Sequence, residues 1–307
     1  MLTIRPETPP DYAAIAAVNV RAFGEQTGEA VLVALLRQRP VFDPALSLVA
    51  ERDGQIIGHV LFSPHTVQLL GEAVRAVNLA PIAIDPAHQR QGIGQKLIET
   101  GHALARRKGY AFSFLLGHTS YYPRLGYQTR AYGVATLTLR PTRLMTRRAL
   151  LARRPTEADV PALRQLWRDT EGAVDFALEP GREFLDWVSP NPAIEALVFV
   201  EAEQVVGYLR RPSAERHRPS IFLARDADTA RQMVALPVPA EDESELILPL
   251  HPASPATKGL GLAKAEAWDA AMVYPLRPSS FDDYFAQVSA GARPPGRVIW
   301  PTMFDLA

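Results

Sequence analysis

The stretch Ile82-Ala83-Ile84-Asp85-Pro86-Ala87-His88-Gln89-Arg90-Gln91-Gly92-Ile93-Gly94-Gln95-Lys96-Leu97 decides how this chain folds. An apolar run ends at Asp85-Pro86 and a polar loop follows. Gly92 and Gly94 then open an amphipathic segment reaching about Lys108. The run predicts a strand and the segment a helix. The first turn of a helix has N–H groups without intrahelical partners and the positive end of the dipole. Glycines let a phosphate approach that backbone with no Cβ in the way. The pattern therefore predicts an anion site whose donors are main-chain amides. It is neither a G-x-x-x-x-G-K-S/T loop nor a G-x-G-x-x-G dinucleotide turn.

Working outward, Leu2-Thr3-Ile4 reads as a strand. Ile15, Val18, Ala22 and Phe23 recur at helical spacing, and a second helix spans Gly28 to Gln38. Leu46 to Glu51 and Ile56 to Phe62 predict a hairpin turning at Asp53-Gly54. Val67 to Leu70 and Val74 to Ile84 predict a second strand pair. After the long helix come a strand at Ala111 to Leu116, a short helical turn at Ser120 to Arg124, and a closing strand at Ala131 to Leu139. The expected order is β-α-α-β-β-β-α-β-α-β.

Gln89-x-x-Gly92-x-Gly94, between a strand and a helix, resembles the Q/R-x-x-G-x-G/A motif of the GNAT acetyltransferase superfamily. The element order is similar to that fold as well. The resemblance covers about residues 1–140 directly. It implies an α/β fold with a mixed, mostly antiparallel twisted sheet flanked by helices, and acetyl-CoA as co-substrate. The pyrophosphate would lie on Gln89, Arg90, Gln91, Gly92, Ile93, Gly94 and Gln95. Pro81 cannot donate to a ladder, so it marks a bulge or an edge. In this family the corresponding strand splays from the next one and admits the pantetheine arm. Ile82, Ala83 and Ile84 would then offer it free backbone groups.

Tyr122-Pro123-Arg124-Leu125-Gly126-Tyr127 resembles the family's Y-x-x-x-G-F/Y segment. On that match Tyr122 is the general acid that protonates the departing thiolate. The alternative is a packed aromatic, and its neighbour Tyr121 is expected in the core. No base is readable. Glu25, Glu29, His118 and a water relay are the candidates, while Asn78 stands where some relatives place a carboxylate. The remaining histidines show no metal spacing such as H-E-x-x-H, so no metal is expected.

The pattern restarts after residue 150. Arg5, Thr8 and Asp11 recur as Arg153, Thr156 and Asp159, 148 positions later, and Gln55-Ile56-Ile57-Gly58 recurs as Gln204-Val205-Val206-Gly207. A near-constant offset argues for an internal repeat. We expect a catalytic domain over 1–140, a basic linker over 141–152 and a degenerate second copy over 153–307. Shifted by 149, the loop lands on Val238 to Glu243, which is acidic and lacks glycine, so the second copy is expected not to bind CoA. Gly259-Leu260-Gly261 is not followed by a long amphipathic helix. The apolar tail Val298 to Leu306 is expected to dock onto the body. Tandem GNAT proteins of the enhanced-intracellular-survival type place a chain-terminal carboxylate in the N-terminal site, which makes Ala307 a candidate. Those proteins are longer and carry a third domain.

Lys+Arg and Asp+Glu both number 33, so nothing global points to nucleic acid or an anionic membrane. Arg140, Arg143, Arg147, Arg148, Arg153 and Arg154 read as a solvated basic linker rather than a nucleic-acid patch. With no cysteine there is no disulfide or thiolate chemistry. Without a signal-peptide pattern or a bilayer-length apolar run, a cytoplasmic location is expected. The resulting expectation is an N-acetyltransferase acting on a primary amine of a small molecule or peptide, as a monomer or homodimer. The alternatives are an aminoglycoside-type acetyltransferase and a silent CoA-binding sensor or scaffold.

Overall fold

A computed structural model describes residues 1–140, 150–235 and 245–306. Arg143, Arg147, Arg148, Val238 to Glu243 and Ala307 lie outside the described residues. The first half contains β1 (Leu2–Pro6), α1 (Tyr12–Ala22), α2 (Gly28–Arg37), β2 (Ser47–Arg52), β3 (Gln55–Leu69), β4 (Glu72–Ile84), α3 (Ile93–Arg107), β5 (Phe112–Leu116) and β6 (Gly133–Leu139). The second contains β7 (Leu151–Arg153), α4 (Val160–Glu171), β8 (Ala177–Leu178), β9 (Ile194–Glu201), β10 (Gln204–Pro212), β11 (Ile221–Ala224), α5 (Ala227–Ala235), β12 (Leu246–Leu248), β13 (Lys264–Ala267), β14 (Ala271–Pro275) and α6 (Ser280–Ser289).

The main sheet has seven strands in the order β1-β2-β3-β4-β5-β14, with β8 beside β3. Alternation along β2 sends Leu48 and Ala50 to one face and Val49 to the other. The first face packs on Leu97 and Ile98 of α3. The second packs on Ile15 of α1 and Leu32 and Leu36 of α2. Burying each such side chain contributes roughly 1.5–3 kcal/mol, the force that holds α3 against the sheet.

One strand is longer than expected. Residues 56–62 and 67–70 are not separate strands, because β3 runs unbroken through Pro64. The last β2 partner on β3 is Leu61. Beyond it that edge carries only β8, at Val67 and Gln68. Pro64 therefore sits where no ladder donor is required.

The repeat is visible in atomic detail. Arg5 grips Asp11 through two nitrogens at 2.7 and 2.9 Å, and Arg153 grips Asp159 at 2.7 and 2.7 Å. In each copy the threonine three residues before the aspartate donates its N–H and hydroxyl to the same carboxylate. The motif caps the chain's entry into α1 and α4.

Residues 131–139 do not close the first sheet. β6 lies instead between β12 and β13. The place beside β5 is taken by β14, antiparallel, with Val273 opposite Phe114. The halves thus exchange strands. The alternating pattern of 133–139 fixes which side chains turn inward; it says nothing of the neighbour. The tail docks as expected. Trp300 stacks on Phe114 with ring centroids 6.1 Å apart, and Met303 packs with α1 and α2 side chains. Among the described residues, no helix is long and apolar enough to cross a membrane.

Candidate functional site

β4 and β5 run parallel, but only Val77–Ser113 and Asn78–Phe114 are paired. Beyond those rungs the strands part. Val60 faces Ile82 while Phe62 faces Leu79, so β4 carries one extra residue around Ala80 and Pro81. This is the bulge expected at the proline, and it accompanies the divergence. Ile82, Ala83 and Ile84 keep β3 as a neighbour, and their β5 side has no strand partner.

The chain turns from β4 into α3 through a pinned loop. Gln89 Nε2 donates to the Ile84 carbonyl at 3.1 Å, and the Asp85 carboxylate accepts from Ala87 N at 3.0 Å and from Arg21 Nε at 2.8 Å. Arg52 donates to Gln91 Oε1 at 2.9 Å. Arg90 is exposed, with a φ of 59°. Gly92 caps the helix at φ 74°, a left-handed conformation that glycine adopts without strain. Lys96 N bonds to Gly92 O at 3.2 Å. The N–H groups of Ile93, Gly94 and Gln95 precede that first helical bond and have no helical acceptor. No acidic side chain stands in this first turn.

The space before the loop is open. A Cβ on Gly92 would meet nothing within 4 Å. A Cβ on Gly94 would lie 2.8 Å from the Tyr121 hydroxyl and 3.8 Å from the Ile82 and Ile84 side chains. The helix start, the free edge of β4 and the tyrosine turn therefore meet at one place.

The two tyrosines swap their expected roles in packing. Tyr122 is 7% exposed and Tyr121 is 37% exposed. Tyr122 starts a 3-10 turn that ends at Gly126, whose φ is 89°. Its ring packs against Gly117 at the end of β5, between Tyr121 and Tyr127. Burial and the neighbouring Tyr121 push its phenol up to about 12, so it stays protonated at neutral pH. Tyr127 is locked, its hydroxyl 2.9 Å from both His102 Nε2 and Ser113 Oγ. Burial, with a smaller push from Arg106, drives His102 down to about 3, so its ring is neutral.

A cavity of about 380 Å³ opens below the splay, walled by Asn78 and Ala80 of β4 and Leu116 of β5. Its other walls come from the second half and include Arg210, Trp300, Phe304 and Asp305. Nothing in the sequence marks these residues. Arg210 meets the Trp300 carbonyl 90 positions away through tertiary packing, and only the docking of the tail was legible. None of the three base candidates lines this cavity. Glu25 is exposed between α1 and α2 with a φ of 65°, Glu29 is in the first turn of α2, and His118 is exposed after β5. The His118 carbonyl accepts from Tyr121 N at 3.0 Å and thereby opens the tyrosine turn.

The second half builds the corresponding junction differently. β11 ends at Ala224 and α5 begins at Ala227, with Arg225-Asp226 between. Asp226 accepts from Thr229 N at 2.7 Å, which puts a carboxylate at the helix start. The helix thus begins well before the 149-residue shift places it, because the preceding strand ends earlier and the connecting loop is shorter. Lys264, after Gly259 and Gly261, opens a strand. Among the described residues, no group of three or more His, Asp or Glu side chains is placed to hold a metal.

A family model described as an acetyltransferase (GNAT) domain matches residues 3–130. YjhQ of Escherichia coli (strain K12), an uncharacterized N-acetyltransferase, is 41% identical over 118 residues, 38% of this chain and 65% of YjhQ. The chain thus spans just under two thirds of that relative. The uncharacterized N-acetyltransferase YhbS of the same organism is 39% identical over 132 residues, 43% of this chain and 76% of YhbS. YhbS has been solved in complex with CoA. That structure is 38% identical, covers 42% of this chain and 70% of its own, and gives a TM-score of 0.39. A GCN5-related N-acetyltransferase from Anabaena variabilis shares the fold over 90% of this chain and 73% of its own, at a TM-score of 0.68 and 12% identity.

Proposed function

The chain belongs to the GNAT acetyltransferase family, and from that premise we propose that its first half transfers the acetyl group of acetyl-CoA to a primary amine within a ternary complex. The observation that carries the proposal is the parting of β4 from β5 beside a helix start opened by Gly92 and Gly94. Acetyl-CoA supplies an activated thioester. The N–H groups of Ile93, Gly94 and Gln95 bind its pyrophosphate, with Gln89, Arg90 and Gln91 shaping the loop around it. The open space before Gly92 fits such a group. The backbone of Ile82, Ala83 and Ile84 holds the pantetheine arm, and an N–H there polarises the thioester carbonyl. Tyr122 keeps its proton until a thiolate needs it, because burial holds its phenol high. The second half is read as the wall of the acceptor cavity, without a CoA site of its own. The carboxylate of Asp226 at the start of α5 would repel a phosphate.

An aminoglycoside is a polycation, and a wall in which the buried guanidinium of Arg210 balances Asp305 offers it no surplus negative charge. The test is calorimetric titration with acetyl-CoA, then thiol release with a panel of amines, comparing wild type with Tyr122→Phe. We expect binding by both proteins and a fall in kcat of about 10²-fold or more for the variant. Tight binding without turnover on any amine would mark a sensor. No binding would remove the proposal.

A further inference from the structure

Three residues that wall the cavity below the splay carry polar atoms that the fold leaves unspent. Arg210 on β10 is 2% exposed. Its Nη2 donates to the Trp300 carbonyl at 2.8 Å and its Nε to Ser220 Oγ at 3.4 Å, while Nη1 has no partner among the described residues. Asp305 Oδ1 lies 3.7 Å from Arg210 Nη2, beyond hydrogen-bond reach, and Oδ2 has no partner. Asn78, 1% exposed, spends its Nδ2 on the Phe114 carbonyl at 3.1 Å, and its Oδ1 has no partner. Each buried polar atom left unpaired costs about 1–3 kcal/mol. Three in one wall make a strong demand for a ligand with the complementary groups. The demand is specific: one cationic donor, one anionic acceptor and one neutral acceptor, beside the apolar surfaces of Leu116, Trp300 and Phe304.

We propose that the acceptor is a free amino acid with an apolar side chain, its carboxylate held by Arg210 and its ammonium by Asp305 and Asn78. The inference rests on the acetyl-transfer reading above. A zwitterion matches the cavity's charges in sign and number, which neither a simple amine nor a polyamine does. The apolar wall takes the side chain, and about 380 Å³ suits one amino acid rather than a polymer. Burial pushes the Asp305 carboxyl up, against the pull of Arg210 and a hydrogen bond from Ser189, which makes it a better proton acceptor than a surface carboxylate.

The protons balance. The ammonium gives one proton to Asp305. The freed lone pair forms the C–N bond as the C–S bond breaks, and Tyr122 passes its phenolic proton to sulfur. The surplus proton on the new amide nitrogen returns to the tyrosinate, and Asp305 releases its own to solvent. The products are an N-acetyl amino acid, CoA thiol and one proton.

The experiment measures thiol release by the full chain with L-phenylalanine, L-phenylalaninamide and phenethylamine, after acetyl-CoA binding has been confirmed by calorimetry. In wild type we expect kcat/KM for the amino acid to exceed that for both carboxylate-free analogues by about tenfold or more. Arg210→Gln should raise KM for phenylalanine by about tenfold or more, a clearly larger rise than for phenethylamine, with Arg210→Lys partly restoring it. Asp305→Asn should lower kcat for all three at unchanged acetyl-CoA affinity. Wild type needs no variant to fold, so its substrate preference is decisive by itself. Equal or better turnover of phenethylamine would overturn the amino-acid assignment and leave acetyl transfer standing. Absence of acetyl-CoA binding would end both.

Discussion

Asn78 donates its side-chain amide to the Phe114 carbonyl at 3.1 Å, across the last rung before β4 and β5 separate. A side chain here does the work that a backbone N–H does elsewhere in the ladder. Asn78→Asp keeps the volume and puts a carboxylate oxygen where the donor stood, against the Phe114 carbonyl. We expect a loss of about 1–3 kcal/mol, read as a Tm lower by several degrees, together with a lower kcat. An unchanged Tm would show that the rung carries no weight.

Gly92 separates ligand effects from folding effects. Its φ of 74° strains any other residue, yet a Cβ there would touch no protein atom within 4 Å. Gly92→Ala should therefore cost only about 1–2 kcal/mol of stability. Its Cβ would occupy the space assigned to the pyrophosphate, so CoA affinity should fall at least about tenfold in a calorimetric titration. Undiminished affinity would move the cofactor elsewhere.

Glu7 predicts how the fold fails in acid. Burial alone would raise its carboxyl. Hydrogen bonds from Arg37 at 2.7 and 2.8 Å, with His59 and Ser47, outweigh burial and hold it down at about 2. The unfolded chain titrates near 4.5, so the folded state's advantage is complete above that pH and is lost as pH falls through about 2. Urea unfolding of wild type should lose roughly 3 kcal/mol between pH 5 and 2 that Glu7→Gln does not lose. Equal acid sensitivity in both proteins would assign the loss to other groups.

The strand exchange predicts what truncation does. A fragment of residues 1–140 would keep β5 without β14, baring a strand edge that carries Phe112 and Phe114. It would also keep β6 with neither of its neighbours. Such edges drive association. Size-exclusion chromatography of the fragment should show aggregate or no soluble protein. A monomer that unfolds cooperatively would contradict the pairing.

What the sequence discloses here is local. Arg5, Thr8 and Asp11 lie within seven residues, and so do Arg153, Thr156 and Asp159, so matching letters sufficed to announce matching hydrogen bonds. Gly92 and Gly94 announce the opening of α3 for the same reason. The neighbour of β5 was not legible, because alternation fixes a face and leaves the partner open. Tyr121 and Tyr122 are adjacent and alike, and only the turn through Gly126 decides which ring goes inside. Arg210 and Asp305 meet Asn78 solely through tertiary packing.

The order in which a ribosome delivers this chain now carries a meaning. β5 is complete at Leu116, and the strand that covers it begins at Ala271. At ordinary elongation speeds that interval is roughly 10–30 s. Throughout it, the nascent first half waits with an aromatic margin uncovered. Such a margin calls for shelter by a holding chaperone until the late strand arrives.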